Sequence, residues 1–353
     1  MRRSVRIFLN DLNVGKTKTL ISFLYRCHEI RQYFVDLFWQ RQDFSAKLAD
    51  TETLHLARDR FSISERLSQT MAKQAKETIC AYRKRMIRRK PRIRNHTITL
   101  FSTLVEIEYF QGKNFDYAIK IGRAGTPRMI IPIHSTKVLN RFLQDGWTLS
   151  KTIRLGLKNT HIFVDLIVEK PRPSKKETGK MVGMDSNYKN GFVFSDGQQV
   201  GQEQYEKIRS FSKRQKHTHK QIKDMVGHAL KQIDFSQIKT LCIENLKHVK
   251  SHTHGTFPRL HNRRLSHWLS TYIADRLGQY CEQFGVRLER KSPWKTSQYC
   301  RICGKWDRRN RRGDKFLCVH CGHAEPADFN ASKNLELLGL AGVYGLRSLQ
   351  SSR

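Results

Sequence analysis

Acidic residues are scarce in this chain. Against 66 Lys and Arg stand 31 Asp and Glu, which leaves a formal charge of +35 over 353 residues. A polymer of that charge repels itself and needs a polyanion to be compact and soluble, so nucleic acid is the expected partner. A membrane surface would attract the same charge, but no apolar run approaches the ~18 residues needed to span a bilayer, and no membrane partner is expected. Met1 to Asn10 lacks the apolar core of a signal peptide, so the expected location is the prokaryotic cytosol, with the nucleoid. Internal repeats are missing and low-complexity sequence is slight, which excludes a repeat architecture. A phosphate-binding loop is missing too: Gly15-Lys16-Thr17 has the tail of one, but position 10, where its first glycine belongs, is Asn10.

The cations that dominate are clustered. Eight of the twelve residues from Arg83 to Arg94 are Lys or Arg with no acid among them, and eleven lie between Arg287 and Lys315 against three acids. One such run can be a solvated face; two runs on top of the overall excess point to phosphate-backbone binding. Arg83, Arg85, Arg88, Arg89, Lys90 and Arg92 in the first run, and Arg308, Arg309, Arg311 and Arg312 in the second, are the candidate nucleic-acid contacts.

At this length two or more domains are expected. The clearest seam is Lys170 to Lys180, polar, proline-bearing and without periodicity. Before it, Arg3 to Leu9 reads as a strand. Leu20, Phe23, Leu24, Cys27, Ile30, Phe34, Leu37 and Phe38 fall on one face of a helix over Lys16 to Arg41. A second helix is expected to begin at a Ser62-to-Glu65 capping box, to bury Leu67, Met71, Ala75 and Ile79, and to run through the basic stretch to Pro91. Thr97 to Phe110, Phe115 to Ile121, Arg128 to His134 and Thr160 to Glu169 read as strands. This half is therefore expected to be a β-barrel-like unit with inserted helices.

Beyond the seam lie the residues that carry chemistry. Cys300-Arg301-Ile302-Cys303 and Cys318-Val319-His320-Cys321 are two CxxC knuckles separated by fourteen residues, with Gly304 and Gly322 directly after each. That spacing closes four thiolates around one Zn²⁺ and points to zinc rather than disulfides or core thiols. Such a site is structural, because it leaves no open coordination position. Cys27, Cys80, Cys242 and Cys281 sit in apolar patterns, as buried free thiols of a reducing compartment do. Of fifteen acids beyond Lys180, three have distinctive places: Asp185 ends the apolar strand Met181 to Met184, Glu244 ends Lys239 to Ile243, and Asp328 opens the helix after the ribbon. Carboxylates that converge at strand ends repel one another, and a pair of Mg²⁺ ions relieves the repulsion and supports phosphodiester hydrolysis. Spacing alone leaves the trio open between that site and three ordinary surface acids.

Gly183-Met184-Asp185, Ile243-Glu244-Asn245-Leu246, Ser292 through Gly304, and Asp328-Phe329-Asn330-Ala331-Ser332-Lys333-Asn334 occur in an order that resembles the TnpB family, transposon-encoded zinc-ribbon proteins related to the compact type V CRISPR effectors. The resemblance is specific from Gly183 to about Asn334 and looser elsewhere. It implies an α+β multidomain protein: a wedge β-barrel over 1–170 with a helical recognition insertion at about 16–95, and a linker over 171–180. A RuvC-like nuclease of the RNase H fold would then follow over 181–295, a zinc ribbon over 296–325, the last nuclease motif over 326–340 and a tail over 341–353. It further implies Asp185, Glu244 and Asp328 as ligands of two catalytic Mg²⁺, one structural Zn²⁺, a guide RNA held by a monomer, and a double-stranded target DNA cut beside a short adjacent motif.

The chain departs from the family at Ser186-Asn187-Tyr188-Lys189-Asn190, where a small apolar residue and glycine commonly follow the first Asp, and at Phe329 and Ser332. Leu265 to Phe284 matches a family helix, whose stripe of Trp268, Tyr272, Leu277 and Cys281 reads as core rather than a base-stacking surface. His248, His252, His254 and His261 lack regular ligand spacing and read as a polar lid loop rather than a second metal site. The rivals to an RNA-guided endonuclease are a nuclease-inactive RNA-guided repressor and a DNA transposase that needs no guide.

Overall fold

The computed structural model describes residues 1–110, 114–122, 129–187, 189–210, 219–245, 269–293 and 295–340. The fold is mixed α+β, and chain packing separates Met1–Pro171 from Arg172–Arg353. His248, His252, His254, His261, Tyr188, Trp268 and the tail 341–353 lie outside the described residues. Among the described residues no helix is long and apolar enough to cross a membrane.

The first unit runs β1 (Arg2–Phe8), α1 (Val14–Gln40), α2 (Thr51–Phe61), α3 (Glu65–Lys84), β2 (Thr97–Leu100), β3 (Val105–Tyr109), β4 (Tyr117–Ile121), β5 (Met129–Ile133), α4 (Lys137–Gln144), β6 (Thr148–Lys158) and β7 (His161–Glu169). The α1 stripe is buried as its spacing requires, with Leu37 half-buried, and it packs on the α3 stripe Leu67, Met71, Ala75 and Ile79. Among the described residues the strands do not join into one closed barrel. They pair as two antiparallel sheets, β1-β7-β6-β2 and β3-β4-β5, and the segment expected as one strand from Thr97 to Phe110 supplies a strand to each.

Two further expectations fail here. Ser62 does not cap α3; it closes α2 in the left-handed region at φ 46°, and Ser64 is the cap, accepting from the Leu67 N–H at 3.3 Å. The basic run is not a helix beyond Lys84. With no acids among them, like charges three and four residues apart disfavour continuing the helix. Met86 turns the chain at φ 59°, and from Pro91 to Arg94 burial alternates, Pro91 and Ile93 inward, Arg92 and Arg94 outward.

The second unit runs β8 (Lys180–Asn187), β9 (Gly191–Phe194), β10 (Gln199–Val200), α5 (Gln202–Ser210), α6 (His219–Lys231), β11 (Ile238–Glu244), α7 (Ser270–Gln283) and β12 (Arg287–Lys291). A 3₁₀ turn at Arg308–Asn310 then precedes β13 (Arg311–Arg312), β14 (Lys315–Leu317), β15 (Ala324–Pro326) and α8 (Ala327–Leu340). Its main sheet has the order β10-β9-β8-β11-β12, with β8, β11 and β12 parallel and β9 and β10 antiparallel additions. On α7, Leu277 and Cys281 are buried and Tyr272 is half-buried.

Side chains two apart on a strand share a face, so Met181, Gly183 and Asp185 project together from β8. A Cβ on Gly183 would lie 1.9 Å from the Ser332 carbonyl oxygen, and one on Gly339 would lie 2.4 Å from both Met181 Sδ and Cys242 Sγ. Two glycines thus let α8 press on this face, running antiparallel to β8. Its end lies over Met181, its middle over Gly183, and its first turn reaches Asp185.

Candidate active site and metal centre

The sheet register builds the acidic site. Met184 pairs with Ile243 across the parallel strands β8 and β11, so the next residues, Asp185 and Glu244, stand side by side on the face that α8 covers. Asp328 in the first turn of α8 completes the group. Asp185 is 7% exposed and Asp328 4%, while Glu244 is half-buried. Burial pushes the Asp185 carboxyl well above its usual range, and the negative charges of Glu244 and Asp328 push it further, against Arg311 and a hydrogen bond from Asn187. Burial also raises Glu244, against the Thr296 hydroxyl and the Arg311 charge.

Each acid has a polar neighbour. Thr296 Oγ1 donates to Glu244 Oε1 at 2.5 Å, and Asn190 Nδ2 donates to Asp328 Oδ2 at 2.6 Å. Arg311 Nη2 lies 3.4 Å from Asp328 Oδ1. Arg311 thus reaches into the acidic site instead of standing with the other cations of its run. Arg309 pairs with Asp307 at 2.8 Å, and Arg308 and Arg312 are exposed. In the first run Arg83, Arg85, Arg88, Arg89, Lys90 and Arg92 are all exposed; Lys90 pairs with Asp36 at 2.8 Å and Arg83 lies over the Phe44 ring. Sequence reasoning missed Thr296, Asn190, Asn187 and the inward turn of Arg311. The only signal was position: Thr296 precedes the first knuckle, and the asparagines stand where the chain departs from the family motif.

The ribbon brings its four cysteines together. The Sγ atoms of Cys300, Cys303, Cys318 and Cys321 all lie within 4.8 Å of one another. Cys300–Cys321 and Cys303–Cys318 are 3.6 and 3.5 Å apart. Four sulfurs about 2.3 Å from a tetrahedral Zn²⁺ are about 3.8 Å apart, so the donor set fits that ion. The knuckles are closed by backbone bonds, Gly304 N–H to Cys300 O at 2.8 Å and Gly322 N–H to Cys318 O at 3.0 Å. Cys27, Cys242 and Cys281 are buried free thiols that burial pushes up to about 12, 11 and 12, and Cys80 is half-buried.

α8 ties the ribbon to the sheet. Asn330 donates to Tyr299 O at 2.8 Å and accepts from the Arg301 N–H at 3.3 Å; Asn334 donates to Thr296 O and Tyr299 O, both at 2.8 Å. The motif from Asp328 to Asn334 therefore places a carboxylate with its first turn and the segment leading into the first knuckle with the next two.

Comparison with known proteins finds similarity in sequence over part of the chain. The Cas12f1-like TNB domain family matches residues 272–335. The CRISPR-associated endodeoxyribonuclease Cas12f1 of Sulfoacidibacillus thermotolerans is 32% identical over 77 residues, 22% of this chain, and the match spans 18% of that protein's length. Among solved structures, the Cas12f1–sgRNA–target DNA complex superposes on 90% of this chain and 82% of its own with a TM-score of 0.56 at 14% identity. CasPhi-2 (Cas12j) bound to crRNA and phosphorothioate-DNA gives 0.42 at 9% identity, over 97% and 92% of the two chains. The chain shares the Cas12f1 fold, and the segment that carries its ribbon and third acid is similar in sequence to Cas12f1.

Proposed function

We propose that this chain is an RNA-guided DNA endonuclease of the compact type V kind, and more narrowly a TnpB-like, transposon-encoded one. The observation that carries the proposal is the meeting of Asp185 and Glu244 on neighbouring parallel strands with Asp328 from α8, under a ribbon that supplies Arg311. The sheet of three parallel strands with an antiparallel flank supports a RuvC-like nuclease of the RNase H type.

In this reading Asp185, Glu244 and Asp328 hold two Mg²⁺ ions. When bound, the ions supply an activated water and neutralise charge at the leaving oxygen. The chain's own residues do the rest. Burial of Asp185 among like charges keeps a strong demand for a cation at this point. Arg311, beside Asp328, would meet the charge of a phosphate entering this site. The four cysteines hold one Zn²⁺ that fixes the ribbon and, through Asn330 and Asn334, the segment bearing Thr296. The guide strand would read sequence by pairing, and the excess of cations would hold phosphate backbones of guide RNA and target duplex, one guide per monomer.

The test is to purify the protein from cells carrying its locus, sequence the RNA that comes with it, and add matched duplex with Mg²⁺. A discrete bound RNA and cleavage beside a fixed short motif are expected. Cleavage independent of RNA would favour a transposase, and RNA-directed binding without cleavage would favour a repressor.

A further inference from the structure

Two of the acids share a feature that their spacing does not announce. In a chain with twice as many cations as anions, each is hydrogen-bonded by a neutral side chain. Thr296 bonds Glu244 and Asn190 bonds Asp328. A lysine or arginine in those places would cancel the charge that a divalent ion needs. A neutral donor fixes the orientation of a carboxylate and leaves its charge in place. Arg311, at 3.4 Å from Asp328, is the cation at hydrogen-bond range of the trio among the described residues.

The donors are themselves held. Asn187 Oδ1 accepts from the backbone N–H groups of Lys189 at 2.8 Å and Asn190 at 2.6 Å, which fixes the turn. The same turn carries Asn190 to Asp328, and Lys189 pairs with Asp314 of the ribbon. Thr296 is fixed through its carbonyl by Asn334, a buried residue whose own Oδ1 has no hydrogen-bond partner.

We infer that Thr296 and Asn190 are positioning residues that fix the orientation of the Glu244 and Asp328 carboxylates toward a metal ion. The inference rests on the metal-site reading above. Donors that orient ligands in this way typically govern metal affinity about 10- to 100-fold.

The test uses the full zinc-loaded chain without nucleic acid, with Mn²⁺ binding followed by electron paramagnetic resonance. Asn190→Ala and Thr296→Val should each raise the Mn²⁺ Kd by about 10- to 100-fold. Thr296→Ser, which keeps the hydroxyl, should bind as the unsubstituted chain does, and thermal midpoint and zinc content should not change. Unaltered Mn²⁺ affinity in both Asn190→Ala and Thr296→Val overturns the inference, whether or not the midpoint falls. Asp185→Asn separates the two levels. If it loses Mn²⁺ while those variants keep it, the metal site stands and the positioning roles fall. If it binds Mn²⁺ like the unsubstituted chain, the metal-site reading falls and this inference with it.

Discussion

A Cβ on Gly183 would fall 1.9 Å from the carbonyl oxygen of Ser332, closer than any two such atoms can approach. Helix α8 and strand β8 are therefore in backbone contact at the level of the acidic site. Gly183→Ala must push α8 outward and carry Asp328 from Asp185. The expected result is a loss of about 1–3 kcal/mol in denaturant unfolding of the second unit, as overpacking costs. Weaker Mn²⁺ binding should accompany it, and unchanged stability would contradict the close approach.

Removing one acid should separate chemistry from binding. Asp185→Ala, Glu244→Ala or Asp328→Ala should each abolish cleavage of a plasmid target while guide RNA affinity stays within about twofold, since cations rather than these acids neutralise the phosphates of the guide. Cleavage and RNA titrations run side by side decide it, and full cleavage by Asp185→Ala would remove that residue from the site.

Asp185 also makes a pH prediction. Its folded carboxyl titrates above its unfolded value of 3.8, chiefly through burial. The native chain then binds more protons than the unfolded one, and stability falls as pH rises through that window, by about 1.4 kcal/mol for each unit the two values differ. Asp185→Asn abolishes this loss. Without added Mg²⁺ it should melt higher than the unsubstituted chain at pH 8 and lose that lead toward pH 4; with Mg²⁺ the lead at pH 8 should shrink.

The ribbon predicts one zinc per chain by elemental analysis. Cys303→Ser and Cys321→Ser should lower that content and destabilise the second unit, because ligand binding and folding are one free energy at a structural site. Active protein free of zinc would refute the assignment.

The exposed basic run predicts a salt effect. Changing Arg85, Arg88, Arg89 and Lys90 together to Gln should weaken nucleic-acid binding and flatten its dependence on salt by about 0.7 to 0.9 in log–log slope for each phosphate no longer neutralised. Of the four, Lys90, which pairs with Asp36, should contribute least to that change. An unchanged slope for both guide RNA and target duplex would show a solvated surface only.

What the sequence made legible followed from its strongest periodicities. The α1 and α3 stripes, the β8 and β11 strands that carry Asp185 and Glu244, and the cysteine knuckles each rest on signals contained within a short window, although β8 runs two residues past Asp185. The basic run misleads because helical spacing says nothing of charge repulsion, and only Met86 in its left-handed conformation marks the stop. Helix α2 escapes notice because its short span buries only Thr53, Leu54 and Ala57. Strand β6 is hard to see because Thr, Ser, Lys and Arg obscure its alternation, and its partners β7 and β2 bracket it from opposite sides of the chain. Arg311 and Thr296 are beyond reach for another reason: each meets its acid only after α8 and the ribbon fold together, and no local pattern encodes that meeting.

The order of the acids along the chain has a consequence for biosynthesis. Asp185 and Glu244 leave the ribosome well before Asp328, which follows the whole ribbon and opens α8. A nascent or truncated chain that stops short of α8 has two carboxylates and no third. Under the proposed function, cleavage competence would arise only after both cysteine knuckles have been made.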